Sequence, residues 1–380
     1  MDLVNTSTIL RAGQADLIAY AFYVLGYRPR ESLVLIGLHG ARLRVGMSLR
    51  LDLPSPPYDV PLPRHQLDLL RKHGEDALVL LVVSDVPPGP GGAGPPHGDL
   101  VGRLRRLLTA DGWRVIDVLA VGPARWRSYL CHDPVCCPPQ GRSLDTVSGS
   151  VLAAWMVSQG EVLVPDEQAL VADVEPAAPP GGWLRRRARP ATAAPSTVES
   201  LARWRALLRP DCRDPDAGPG DVGPGDVGIV DVGLVGAPAQ VRWLAEALQD
   251  RWFRDAVLLT LMPDAGTAPD EVLAGSEPAA LDALLDTRPD RSLLARWSAP
   301  LAAVARSAPP GERADALALL AWAAWWAGDG PRGRLLAARA LADRPEDTFA
   351  ALVDQLLFVG VPPGWLVAQR REASAGSAAG

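Results

Sequence analysis

Lysine is almost missing from this 380-residue chain: of 38 basic residues only Lys72 is not arginine, a skew that reads as GC-rich coding bias. Positive charge is not in excess either. A net charge of −6 and a pI near 5.5 argue against a general binder of nucleic acid or anionic membranes, which needs a basic footprint. Long hydrophobic runs are also missing. No basic segment followed by a long apolar stretch opens the chain, and the alanine-rich stretches are cut by Arg, Asp, Gly or Pro before reaching the roughly 20 residues that span a bilayer. A soluble, cytoplasmic protein without a membrane partner is therefore expected. Cysteine is scarce, at four residues. That is too few for a disulfide framework at this length, and clustered thiols in a reducing compartment point to metal, redox chemistry or packing. No Walker loop, G-x-G-x-x-G turn, G-x-S-x-G elbow or H-E-x-x-H helix occurs, so the common nucleotide, hydrolase and metalloprotease signatures are absent.

What is present is ordinary globular composition, 48 % hydrophobic and 22 % charged, in a chain long enough for two cores. Gln14 to Leu25 has helical apolar spacing, with Gly26 as its stop and Pro29 beyond. Ser32 to Leu38 and Arg42 to Leu53 read as a hairpin turned at His39 and Gly40, the second strand with one wet face. A short helix over Leu62 to His73 precedes Ala77 to Ser84, an unbroken apolar run suited to a central strand covered on both faces. The Pro/Gly loop Pro87 to Gly98, a basic amphipathic helix over Asp99 to Leu108 and a strand over Trp113 to Val121 complete a crossover with parallel pairing. Thr146 to Ser158 reads as one helix, N-capped by Asp145.

The expected fold class is therefore an α/β domain, a mixed sheet with covering helices, over 1–174. A Pro/Ala/Arg linker over 175–195 carries RRRAR at Arg185 to Arg189. The remainder, 196–372, reads as an all-α domain, with a low-complexity loop near 210–236 that repeats DVG at Asp221, Asp226 and Asp231, and 373–380 as a disordered tail. Within the helical part, AWWAGDGPRGRLLAARALADRP is similar to a tetratricopeptide hairpin, with Gly328, Ala340 and Pro345 at that repeat's positions and Gly333 where alanine is usual. A single repeat does not bury its own face, so repeat-like packing is expected over a peptide groove. Trp322, Trp325 and Trp326 read as core, with an exposed partner surface as the alternative.

Chemistry concentrates in RWRSYLCHDPVCCPPQGRSL, Arg125 to Leu144, which holds three of the four cysteines. Cys131, Cys136 and Cys137 supply three soft ligands where zinc takes four tetrahedral donors, so His132, Asp133 or a distant histidine has to complete a metal set. Arg125, Arg127 and Arg142 favour a thiolate or hold an anion through charge-assisted contacts. Pro134, Pro138 and Pro139 stiffen the loop. Inert packing thiols are the bland alternative.

Three segments, ADLIAYAFYVLGYRPRESLVLIGL, LRLDLP and the cysteine stretch, together resemble the actinobacterial domain of unknown function family 4192. Gly26, Pro29, Ser32, Arg50, Asp52, Arg127, Ser128, Cys131, Cys136, Cys137, Pro138 and Gly141 stand at that family's characteristic positions, and Tyr27 stands where Phe is common. The resemblance implies an actinobacterial cytoplasmic protein. It also suggests that Arg50 and Asp52 converge with the cysteine loop, because loops after strand ends commonly build α/β sites. The bland reading of that pair is an ion pair on one strand face.

The expected function is a binding or regulatory protein. It senses a ligand through Arg50, Asp52, Arg127, Ser128 and Arg142, or a metal, zinc in particular, through Cys131, His132, Cys136 and Cys137, and it engages a protein partner through the helical domain. The alternatives are an enzyme using a Cys thiolate or a Cys-bound metal, and a purely structural interaction protein.

Overall fold

A computed structural model describes residues 13–55, 64–86, 94–176, 196–209, 238–262, 265–276 and 286–368. The chain divides into two compact units, 1–170 and 171–380. Of the linker expected over 175–195 all but the first two residues, and the low-complexity loop 210–236 and the tail 373–380, lie outside the described residues.

In the first unit, helix α1 (Gln14–Leu25) ends at Gly26, whose φ of 77° is the left-handed conformation glycine adopts without penalty. Strands β1 (Ser32–His39) and β2 (Arg44–Asp52) follow, then α2 (Arg64–Lys72), β3 (Ala77–Val83), α3 (Gly98–Ala110), β4 (Arg114–Val121), β5 (Arg125–Ser128) and β6 (Arg142–Ser143). The six strands form one mixed sheet in the order β2-β1-β3-β4-β5-β6. Only β3 and β4 pair in parallel, which is what the α3 crossover between them requires. β1 and β3 are apolar along their length because both faces are covered. Val34, Ile36, Val79 and Leu81 pack under α1, whereas Leu33, Leu35, Leu78 and Leu80 pack under α2 and α3.

The expected single helix over 146–158 is two pieces, α4 (Asp145–Ser148) and α5 (Val151–Ser158). Ser150 caps the second through Ala153 N, and buried Asp16 of α1 accepts a hydrogen bond from Leu152 N at 3.0 Å. A side chain 136 residues away fixes that helix start, which is why local pattern placed the cap at Asp145. The strands β5 and β6, at four and two residues, are too short to show an alternating pattern.

Glu75 is buried beneath the β1–β2 hairpin, where its carboxylate accepts from Met47 N at 2.9 Å and meets His39 Nδ1 at 3.3 Å. A methyl group at Gly46 would lie 1.8 Å from Glu75 Oε1. We therefore expect Gly46→Ala to displace that carboxylate and lower stability by about 2 kcal/mol, read from urea midpoints.

The second unit is helical: α6 (Thr197–Leu208), α7 (Pro238–Ala247), α8 (Arg251–Leu259), α9 (Ala268–Leu273), α10 (Arg291–Ser307), α11 (Ala314–Trp326), α12 (Gly330–Asp343) and α13 (Thr348–Val359). Aspartates open several of them: Asp250, Asp290, Asp329 and Asp347 each accept hydrogen bonds from first-turn N–H groups. Trp204, Trp297 and Trp326 are fully buried, and Trp322 stacks on Trp326 with ring centres 5.6 Å apart. Two of the buried indole N–H groups here find acceptors within the unit, Trp204 on Thr260 Oγ1 at 2.7 Å and Trp297 on Val257 O at 3.0 Å. The segment Thr348–Ala368 is long and apolar enough to cross a membrane, but its helix stops at Gly360, φ 71°, ahead of Pro362 and Pro363.

Asp315, with a side chain only 3 % exposed, pairs with Arg254 at 3.0 Å and Arg344 at 2.6 Å. Arg344 also reaches Asp347, the α13 cap, at 3.3 Å. Removing the shared carboxylate strands two half-buried guanidinium groups. Asp315→Ala should cost about 3–5 kcal/mol in chemical unfolding, and a loss under 1 kcal/mol would refute the role.

Candidate functional site

The cysteine loop, residues 129–141, leaves β5 and returns as β6 at the sheet edge. Its shape begins with a hydroxyl. Ser128 Oγ accepts from Leu130 N at 2.9 Å and Cys131 N at 3.1 Å, turning the chain off the strand. It donates in turn to Asp117 Oδ1 at 2.6 Å. Asp117 Oδ2 accepts from Gln14 Nε2 of α1 at 2.7 Å, and Gln14 Oε1 lies 3.7 Å from Cys137 Sγ as its acceptor. A chain of side chains thus runs from β5 through β4 and α1 to the thiol.

Asp117 is in that position because β4 carries a bulge. Leu78 pairs with Val115 and Val79 with Asp117, so Ile116 is the extra residue and Asp117 turns to the α1 face. Lower in the loop, Asp133 Oδ1 accepts from Val135 N at 2.8 Å, and Asp133 O accepts from Cys137 N at 2.7 Å. These close the turn that lets the adjacent Cys136 and Cys137 both approach Cys131.

The result is a group able to hold a metal ion: the Sγ atoms of Cys131, Cys136 and Cys137 all lie within 4.8 Å of one another. Tetrahedral zinc with Zn–S bonds of about 2.3 Å needs S···S separations of about 3.8 Å, so closure takes about 1 Å at most. Cys137 is buried, Cys131 half-buried and Cys136 exposed. Burial pushes the Cys137 thiol up to about 11; the Ser128 backbone N–H pulls the other way, and the neighbouring Cys131 and Cys136 push with burial. His132 is exposed and does not join the three sulfurs among the described residues.

The remaining sequence-expected residues do not converge there. Arg50, Val34, Leu81, Leu119 and Ser128 form one row across the sheet, which puts Arg50 about 19 Å from Ser128 at about 4.8 Å per strand. Arg50 instead binds Asp52 at 3.0 Å, Ser32 Oγ at 3.0 Å and Glu167 at 3.7 Å. The expected meeting of Arg50 and Asp52 with the cysteine loop is thus overturned, because β2 and β5 sit on opposite sides of the sheet's centre. Arg142 covers the Trp126 ring at 5.7 Å, and Arg127 donates to Pro139 O at 2.9 Å. Asp117 and Gln14 were not singled out from sequence. The legible signal was the one carboxylate in the strand, Asp117 within Trp113 to Val121, where Arg114 is the other charged residue.

A three-layered α/β unit, its sheet covered by helices on both faces and carrying an edge trithiol group, followed by a helical unit, is the class of protein that fold and site define. The chain belongs to the family described as domain of unknown function (DUF4192), whose model matches residues 15–364. No curated protein and no solved structure matches it.

Because the folded state holds Cys137 as the neutral thiol, its stabilising effect is complete below pH 9, where an unfolded thiol of pKa 9.0 is neutral too, and is lost as pH rises toward 11. We expect metal-free protein to lose stability over that window and Cys137→Ala to lose less, by denaturant titration at pH 8, 9, 10 and 11. Equal slopes would contradict the burial argument.

Proposed function

We propose that the protein is a binding or regulatory protein that holds a thiophilic divalent cation, zinc in particular, on Cys131, Cys136 and Cys137. The observation that carries this reading is the approach of the three Sγ atoms to within 4.8 Å on a loop fixed by Ser128, Asp117 and Gln14. Three protein ligands leave a fourth position for water or a small ligand on the side where Cys136 is exposed, the arrangement of sites that respond to or act on what binds them. His132, exposed beside Cys131, is the protein donor nearest in sequence for that position. Ser128, Asp117 and Gln14 serve as the outer shell that orients the thiols. A reducing compartment such as the cytoplasm suits a site whose ligands are free thiols.

The helical unit is the partner-facing part of this reading. Trp322, Trp325 and Trp326 are buried, which removes them from any contact surface. Leu352, Phe358, Val359 and Val361 on and after α13 are between 46 % and 60 % exposed and offer an apolar face for a protein partner. We read α11 and α12 as the tetratricopeptide-like pair: a methyl group at Gly333 would come within 3.1 Å of Ala321 O, so the two helices approach closely at a small residue.

Cobalt(II) titration of the full chain should give one equivalent of tight binding with thiolate-to-metal charge-transfer absorption, displaced by zinc. Cys136→Ser should weaken it by more than the roughly 10–100-fold expected of Ser128→Ala, an outer-shell loss. Absence of charge-transfer bands, or identical binding by Cys136→Ser, would sink the proposal.

A further inference from the structure

A cavity of about 170 Å³ opens beside the carboxyl ends of β3 and β4, where the parallel pair and its crossover helix leave the crevice that α/β folds use for ligands. Its floor follows from register. Val82, Ala120 and Arg127 form one row across β3, β4 and β5, and all three line the cavity. Val82 belongs to the α3-side core, opposite the face on which Asp117 and Gln14 hold Cys137. The cavity is therefore distinct from the trithiol group. Pro95 and Pro96 wall it ahead of α3, and Gln140 and Gly141 wall it from the end of the cysteine loop.

Two properties define what fits. Among the described residues the lining is apolar apart from Ser84, Gln140, Arg125 and Arg127, and it contains no carboxylate. Arg127 Nε is buried without a hydrogen-bond partner, while its NH1 is spent on Pro139 O at 2.9 Å. A guanidinium with an unsatisfied buried donor and no acid on the same wall is costly to keep, and a ligand carboxylate satisfies it through a planar charge-assisted pair. Arg125, whose NH1 donates to Gly141 O at 2.8 Å, supplies a second positive charge at the rim. In size the cavity suits one ring, since apolar cavities of about 150 Å³ admit benzene.

We propose that this cavity binds a small monocarboxylic acid whose apolar body is one ring or a short chain, the body over Val82 and Ala120 and the acid on Arg127. The full metal-free chain is tested by equilibrium dialysis and calorimetry against benzoate, with toluene, acetate and inorganic phosphate as comparisons. One equivalent of benzoate should bind at least tenfold more tightly than any of the three. Arg127→Met should lose roughly tenfold or more of that affinity, the worth of a charged hydrogen bond, and Arg127→Lys should recover it only in part. Ala120→Leu, which fills the floor without touching charge, should also abolish binding, so the proposal stands or falls even if Arg127→Met does not fold. Cys136→Ser should bind benzoate as the parent does, which separates this site from the metal reading. Benzoate no tighter than toluene or acetate, phosphate binding equal to benzoate, or full binding by folded Ala120→Leu would each overturn it.

Discussion

The carboxylate of Asp117 is the constraint on which the first unit's chemistry depends. It is the one carboxylate of its strand, on the α1 face, and besides the adjacent Val118 N–H it is satisfied by two partners that tie distant segments together, Ser128 Oγ at 2.6 Å and Gln14 Nε2 at 2.7 Å. Without the one-residue bulge at Ile116, alternation would send this side chain to the other face and leave both partners without it. Through Ser128 it sets the departure of the cysteine loop, and through Gln14 it sets the wall against which Cys137 rests. A half-buried network of this kind specifies one arrangement because each member left unpaired is costly.

The loop so anchored straddles an edge. Cys137 turns to the α1 face, whereas Gln140 and Gly141 complete the cavity wall on the α3 side. Arg127 and Arg125 pin that return through Pro139 O and Gly141 O. Gly141, at φ 76°, is a position where a methyl group would press to 3.0 Å on Trp126 O, so the reversal into β6 needs glycine. Both faces of the edge thereby share one rigid, proline-rich segment. The loop also protects β5, a short strand that would otherwise end the sheet with unpaired backbone groups.

Much of this was legible before the fold was seen, and the division is physical. Periodicity located α1, β1, β3 and α3, because each buries a regular apolar pattern. Gly26 marked its helix end because φ there is positive. Their clustering in one segment singled out Cys131, Cys136 and Cys137, and the turn closed at Asp133 brings their sulfurs together. What sequence did not carry was long-range. The α5 cap comes from Asp16 as well as Ser150, Asp117 acts through a bulge that propensity does not mark, and Arg50 is separated from the loop by the order of strands. In the helical unit Trp322, Trp325 and Trp326 were rightly read as core, while the Asp315 pairing with Arg254 and Arg344 joins residues 61 and 29 positions apart.

Three sulfurs acting together on one cation are the core of the proposed function. Zinc-edge X-ray absorption of the full chain loaded with one equivalent of zinc measures that directly. Three sulfurs at about 2.3 Å with one lighter donor at about 2.0 Å is the predicted shell. A shell of oxygen and nitrogen without sulfur, or zinc that washes away from all three thiols, would contradict it.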